Sequence, residues 1–321
     1  MVWSFKLVKH GIAAGLLIAF FLTGCATSQI SPASNIETAD GAFSVPYRIS
    51  SSGRFLIDVS INDGPSRPLS VDTGATVSVI YDDFARAEDL NVSERTIFVR
   101  GLVGQGDRPV IEGVSFRIAD TNFPLSQVVM LEMPSIQDEA VGLLGGDILS
   151  GYIVLFDHSV GIATFVPREN VDKKTFAGWN QISLRTLRDS DTKLYFAETV
   201  YGDVEIPVLV DTGSNLNFIN WKLATMDENI RRIERDMLRN GTLQGALDTT
   251  SAIFETVFYD LELDDQSWDE LPVFVTGLDG LATIAPVDEP IMVAGANLFT
   301  PLTIAFDLEG LSLYVFPSEE E

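Results

Sequence analysis

The sequence predicts a mainly β protein of two related lobes, and three observations carry that prediction. From Phe43 onward, short alternating apolar runs are cut by turn residues. A segment around Asp72 is echoed around Asp211. A second matched segment follows much later in each half. A chain of 321 residues also leaves room for roughly two domains of ordinary size.

In chain order, Phe55–Ile61, Val110–Ile118, Gly151–Phe156, Tyr195–Val200 and Leu311–Phe316 read as strands. Helices are expected to be few and short, with one exception in the second lobe. Between Lys222 and Asn240, Leu223, Met226, Ile230, Ile233 and Met237 recur at helical spacing, and Asn240-Gly241 supplies a stop. Arg231, Arg232, Arg235 and Arg239 interleave there with Asp227, Glu228 and Glu234, the pattern of a solvated helix face.

The repeat is the most informative feature. Leu69-Ser-Val-Asp72-Thr73-Gly74-Ala75 matches Val208-Leu-Val-Asp211-Thr212-Gly213-Ser214, and each runs into an apolar strand, Val77–Ile80 or Leu216–Ile219. Later, Leu143-Leu-Gly145-Gly-Asp147 leads to Leu155-Phe-Asp157, as Val293-Ala-Gly295-Ala-Asn297 leads to Ala305-Phe-Asp307. Each half then closes with a turn glycine, Gly161 or Gly310, and a final strand. The charged stretch 167–180, punctuated by Pro167 and Gly178, makes the joint. The expected divisions are a leader over 1–24, a flexible tether over 25–42, a first lobe over 43–170 and a second over 171–321.

Strand, Asp-Thr-Gly-Ala/Ser, strand, then a distant apolar-apolar-Gly, taken twice, resembles the aspartic proteases. Short lobes and Asp-Thr-Gly-Ala look retropepsin-like, and the fusion of two halves looks pepsin-like. The resemblance implies the acid protease fold, with two β-barrel lobes, and an endopeptidase that needs no cofactor and no metal. It makes Asp72 and Asp211 the catalytic pair, both supplied in cis by a monomer acting on a peptide or protein substrate. Thr73 and Thr212 are expected to hydrogen-bond across the lobes. Gly74 and Gly213 would let the partner lobe's backbone approach, and Gly145 and Gly295 would pack beneath the aspartate loops. Gly101, Leu102, Val103 and Gly104, within Arg100–Gly106, resemble the flap over the substrate. Asn240–Gly245 stands at the equivalent place in the second lobe. No tyrosine stands in either stretch, so the flap tyrosine of pepsin-like enzymes is absent.

The chemistry requires these residue types. One carboxylate can take a proton from water while one carboxylic acid protonates the scissile carbonyl. Two carboxyls a few ångströms apart cannot both ionise, so a close pair shares a proton. Ala75 and Ser214 differ in one hydroxyl, which in this family bonds the neighbouring aspartate. That difference predicts Asp211 as the carboxylate, Asp72 as the acid, and an optimum less acid than pepsin's.

At the N-terminus, Lys6, Lys9 and His10 precede the apolar run Ile12–Phe21, the pattern of a secretory signal too short to span a bilayer. Leu22-Thr23-Gly24-Cys25 follows and resembles the lipobox of bacterial lipoproteins, which implies lipidation at Cys25 and attachment to the cell envelope. Ala26 resembles the residue after the cysteine in lipoproteins sorted to the outer membrane, facing the periplasm.

Inventory and charge exclude several classes. The single cysteine rules out disulfides in the fold, and beyond the leader one histidine remains, His158, too few for a Ser-His-Asp triad or a zinc site. A net charge of −25, more negative once Lys6 and Lys9 are removed, repels nucleic acid and anionic lipid surfaces. The alternative to an endopeptidase is a catalytically inactive peptide-binding lipoprotein that retains the protease fold.

Overall fold

The structure, a computed structural model, describes residues 39–133, 139–172, 174–186, 193–226, 238–244, 250–282 and 288–317. The leader, Cys25 and the tether up to residue 38 lie outside the described residues.

The described chain is mainly β and divides into two lobes, as expected from the sequence. The first contains β1 (Phe43–Ile49), β2 (Phe55–Ile61), β3 (Ser66–Val71), β4 (Val79–Tyr81), β5 (Val92–Arg100), β6 (Gln105–Ile118), β7 (Thr121–Leu131), β8 (Gly142–Leu144), β9 (Tyr152–Asp157) and β10 (Ile162–Pro167). The second contains β11 (Asn180–Ser183), β12 (Arg185–Thr186), β13 (Tyr195–Tyr201), β14 (Val204–Asp211), β15 (Phe218–Asn220), β16 (Leu238–Gln244), β17 (Thr250–Leu263), β18 (Gln266–Thr276), β19 (Met292–Gly295), β20 (Ile304–Asp307) and β21 (Ser312–Val315). Short helices α1 (Asp82–Ala87), α2 (Gly146–Leu149), α3 (Trp221–Ala224) and α4 (Ala296–Phe299) follow four of the strands.

Strand order repeats element for element. Lobe one reads β2-β3-β8-β4-β7-β6-β5, and lobe two reads β13-β14-β19-β15-β18-β17-β16. In both, the strand leading to the aspartate runs parallel to the strand leading to the later glycine: Val71 pairs with Leu144, and Asp211 with Gly295. Because β8 lies between β3 and β4, the loop holding Asp72 must arch over the end of β8. The loop holding Asp211 crosses β19 in the same way.

A shared six-stranded region, β11-β21-β20-β9-β10-β1, ties the lobes together. At its centre β9 pairs antiparallel with β20, matching Val154 to Phe306, Leu155 to Ala305 and Phe156 to Ile304. Val154, Leu155 and Phe156 are themselves the repeat equivalents of Ile304, Ala305 and Phe306. The pairing is therefore self-complementary about Leu155 and Ala305, the geometry of a two-fold axis. Phe156 touches Phe55, Tyr47 and Phe306, so one core runs from lobe to lobe. β2 is buried on both faces except at Asp58, which explains why Phe-Leu-Ile reads as a run rather than an alternation.

Two expectations need correcting. Of the helix expected over Lys222–Asn240, Lys222–Ala224 lie in the short helix α3, which Thr225 caps, while Leu238–Asn240 are extended in β16. Residues 227–237 lie outside the described residues. The last residues of the expected span pair with β17 instead, where Leu238 meets Glu255 and Arg239 meets Phe254. The closing turns also differ in detail. Gly161 adopts φ +68°, but counting from Asp157 and Asp307 its equivalent is Leu311, at φ +54°, rather than Gly310. Gly310 is needed for a different reason: its N–H donates to Asp307 Oδ1 at 2.8 Å, and a Cβ there would overlap that carboxylate.

Phe156→Ala should cost about 3–5 kcal/mol. Because the core is continuous, urea should still unfold both lobes in a single transition, at a lower midpoint, when followed by circular dichroism.

Candidate active site

Asp72 and Asp211 meet where the two arches face each other, and both are nearly buried, each 7% exposed. Their carboxyls are hydrogen-bonded to one another. Each is also fixed by its own loop. Gly74 N–H and Ala75 N–H donate to Asp72 Oδ1 at 2.8 and 2.9 Å, and Gly213 N–H and Ser214 N–H donate to Asp211 Oδ1 at 3.0 and 3.1 Å.

The threonines lock the arches together. Thr73 N–H donates to Thr212 Oγ1 at 3.0 Å, and Thr212 N–H donates to Thr73 Oγ1 at 3.1 Å. Each hydroxyl passes its own proton to the opposite strand, Thr73 to the Val210 carbonyl at 2.9 Å and Thr212 to the Val71 carbonyl at 2.8 Å. All four bonds are buried and cross between lobes. The cross-lobe bonding expected of this pair is present.

The glycines have two distinct reasons. At Gly74 an added Cβ would sit 2.5 Å from Asp211 Oδ1, and at Gly213 it would overlap Asp72 Oδ2. The expected approach of the partner backbone is thus an approach of the partner carboxyl. Gly145 and Gly295 lie under the arches as expected. A Cβ on Gly145 would fall 2.6 Å from the Val77 carbonyl carbon, and one on Gly295 would collide with the Leu216 carbonyl.

Beneath the arches the lobes use different chemistry. In lobe one Asp147 accepts from Ser78 N–H at 2.9 Å and from the Ser78 hydroxyl at 2.6 Å, while Gly145 N–H donates to Ser78 Oγ at 3.1 Å. In lobe two Asn217 stands for Ser78, accepts from Gly295 N–H at 2.9 Å and donates to the Pro272 carbonyl at 3.2 Å. With Asn217 reaching both, the carboxylate is dispensable and Asn297 stands in its place; its Oδ1 is buried with no hydrogen-bond partner among the described residues.

Burial raises the pKa of both aspartates. Asp211 is pushed up to about 8, by burial and then by the charge of Asp72. At Asp72 the same burial is opposed by the Arg54 guanidinium and by the Gly74 and Ala75 amides. The hydroxyl argument for the reverse order fails on geometry, because Ser214 Oγ donates to the Leu216 carbonyl at 2.8 Å and not to Asp211. Arg54 was not singled out from the sequence; an arginine eighteen residues before an aspartate carries no local signal.

The first-lobe flap candidate is the turn between β5 and β6. Gly101 N–H donates to the Gly104 carbonyl at 3.1 Å, and Gly104 takes φ +81°. The tip reaches lobe two: Gly280 N–H donates to the Leu102 carbonyl at 3.1 Å, and Leu102 packs on a cluster that includes Leu194, Leu278 and Leu281. A Cβ on Gly280 would collide with the Gly101 carbonyl, so only glycine admits the tip. Val103 is buried. In lobe two, Asn240–Gln244 belong to β16 rather than to a turn, and residues 245–249 lie outside the described residues.

No protein-family model matches the chain, and no curated protein does. Among solved structures it is similar to an aspartic proteinase from Irpex lacteus, at 10% sequence identity and a TM-score of 0.49, over 86% of this chain and 97% of that one.

Thr73→Val and Thr212→Val each leave a buried carbonyl and N–H of the opposite lobe without partners. Each should lower stability by about 2–4 kcal/mol in urea denaturation. Gly280→Ala should release the flap, read as faster amide hydrogen exchange across residues 101–106 with the rest of the molecule unchanged.

Proposed function

We propose that the chain is an aspartic-type endopeptidase whose attacking water is activated by the Asp72 and Asp211 dyad. The observation that carries this reading is two buried carboxyls, one from each lobe, in direct hydrogen-bonded contact and pinned by cross-lobe threonines. A pair so placed holds one proton between them, which supplies a base and an acid at the same spot without rearrangement. The roles of Thr73, Gly74, Ala75, Thr212, Gly213, Ser214, Gly145 and Gly295 are to hold that geometry. The segment Gly101–Gly104, reaching from one lobe to the other, suits a lid that must move for a polypeptide to enter.

The lipobox-like Leu22–Cys25 supports a lipid anchor, and with Ala26 a place on the outer membrane facing the periplasm. Several acyl chains on one residue would give stable attachment where one chain is marginal. The substrate is then a peptide or protein of the envelope, and both aspartates come from one chain.

A mixed peptide library tests the reading, with products identified by mass spectrometry. Asp72→Asn and Asp211→Asn should each reduce cleavage by about a thousandfold or more. If the parent binds library peptides and cleaves none, the inactive peptide-binding alternative replaces this one. Activity should also fall as pH rises through about 8, where Asp211 loses its proton.

Stability follows the same proton. Asp211 holds it more tightly when folded, so its contribution is fully present below its ordinary value of 3.8 and is lost as pH rises through about 8. Urea midpoints measured across that window should decline in the parent and flatten in Asp211→Asn. Cys25→Ser should move the protein from the membrane fraction to the soluble one.

A further inference from the structure

Around the dyad the lobes repeat position by position, with one sharp exception. The β2–β3 ladder pairs Leu56 with Ser70, and the same register carried two residues further sets Arg54 opposite Asp72. The β13–β14 ladder pairs Phe196 with Leu209, and the same continuation sets Leu194 opposite Asp211. One aspartate thus has a guanidinium as its cross-strand neighbour, and the other has a branched hydrocarbon.

Arg54 is well placed to act. It is 8% exposed, where an arginine is ordinarily at the surface. Its backbone is held by the turn before β2, where Ser50 N–H donates to the Arg54 carbonyl at 2.8 Å and Arg54 N–H donates to Ser50 Oγ at 3.1 Å. Phe55 and Leu56, both fully buried, anchor the chain immediately after it. Leu194 occupies the matching place in an apolar cluster with Phe196, Leu209 and Phe218. The charged groups acting on Asp72 are Arg54 from the turn before β2 and Asp211 from the facing loop; the charged group acting on Asp211 is Asp72. An opposite charge close by favours an ionised carboxyl, and an apolar neighbour disfavours it.

We propose that Arg54 is the positioning residue that breaks the symmetry of the dyad, holding Asp72 as the carboxylate and leaving Asp211 as the acid. The assignment rests on the hydrolytic reading given above for its consequence, but not for its measurement. In the reaction the water oxygen bonds to the scissile carbonyl carbon while Asp72 takes one water proton and Asp211 gives its proton to the carbonyl oxygen. The neutral gem-diol then collapses. The C–N bond breaks, the leaving nitrogen takes the proton from Asp72, and one hydroxyl proton returns to Asp211. Water and the peptide bond are consumed, an acid and an amine are released, and the dyad regains its starting state.

The test uses the carboxyl carbon shifts of Asp72 and Asp211 in ¹³C-aspartate-labelled protein, assigned through Asp72→Asn and Asp211→Asn and followed with pH. The cleavage profile of the same proteins is recorded alongside. In the parent, Asp72 should ionise at the lower pH. Arg54→Leu, which copies lobe two, and Arg54→Gln should raise the Asp72 titration by about one unit or more and move the acid limb of the profile with it. Arg54→Lys, which keeps the charge, should stay within about half a unit of the parent. The proposal is overturned if either folded neutral variant titrates like the parent, or if Arg54→Lys shifts as far as they do. It is equally overturned if activity falls while both titrations stand still, since Arg54 would then only shape the turn. A parent that cleaves nothing would sink the hydrolytic reading, and the titrations would still decide the role of Arg54.

Discussion

Four buried hydrogen bonds between Thr73, Thr212, Val71 and Val210 are the constraint on which the site depends. Two buried carboxyls repel as soon as both are charged, and only the docking of the lobes keeps the two loops from moving apart. The threonine lattice removes that freedom by making each loop complete the hydrogen bonding of the other. Neither arch is satisfied until the lobes are docked, so formation of the site and closure of the interface are one event. The shared β9–β20 pairing sets the lobes at the distance at which this can happen.

The arches explain two of the site glycines by topology alone. Inserting β8 between β3 and β4 forces a loop across a strand end, and a loop that crosses so low leaves no volume for a side chain on Gly145. The same insertion of β19 imposes the same demand on Gly295. Hydrogen-bonding partners under the arch are freer to change, provided the geometry is kept. Ser78 braced by Asp147 in one lobe, and Asn217 alone in the other, are two solutions to one problem, each anchoring the N–H of the glycine at the end of the inserted strand.

How much of this was legible beforehand depended on range. Asp72, Thr73 and Gly74 announce themselves because their meaning lies in adjacent residues and is written twice. β2 was read to its true limits because both of its faces are apolar. Features set by distant partners were not legible. The orientation of the Ser214 hydroxyl depends on the Leu216 carbonyl, and the seat of Leu102 depends on Gly280. The extended state of Leu238–Asn240 depends on pairing with β17, a partner that no local pattern names. Gly310 looked like the residue of the left-handed turn because it is a glycine, while Leu311 takes that conformation.

The self-complementary pairing about Leu155 and Ala305 describes what two identical subunits would make, and here it is made by one polypeptide. Identical subunits are bound to present the same neighbour to each half of a shared centre. Covalent linkage lifts that obligation, so a cation can stand at one side and a hydrocarbon at the other without a matching change across the axis. Polarity at the heart of a near-symmetric molecule is a freedom that two copies of a single sequence cannot have.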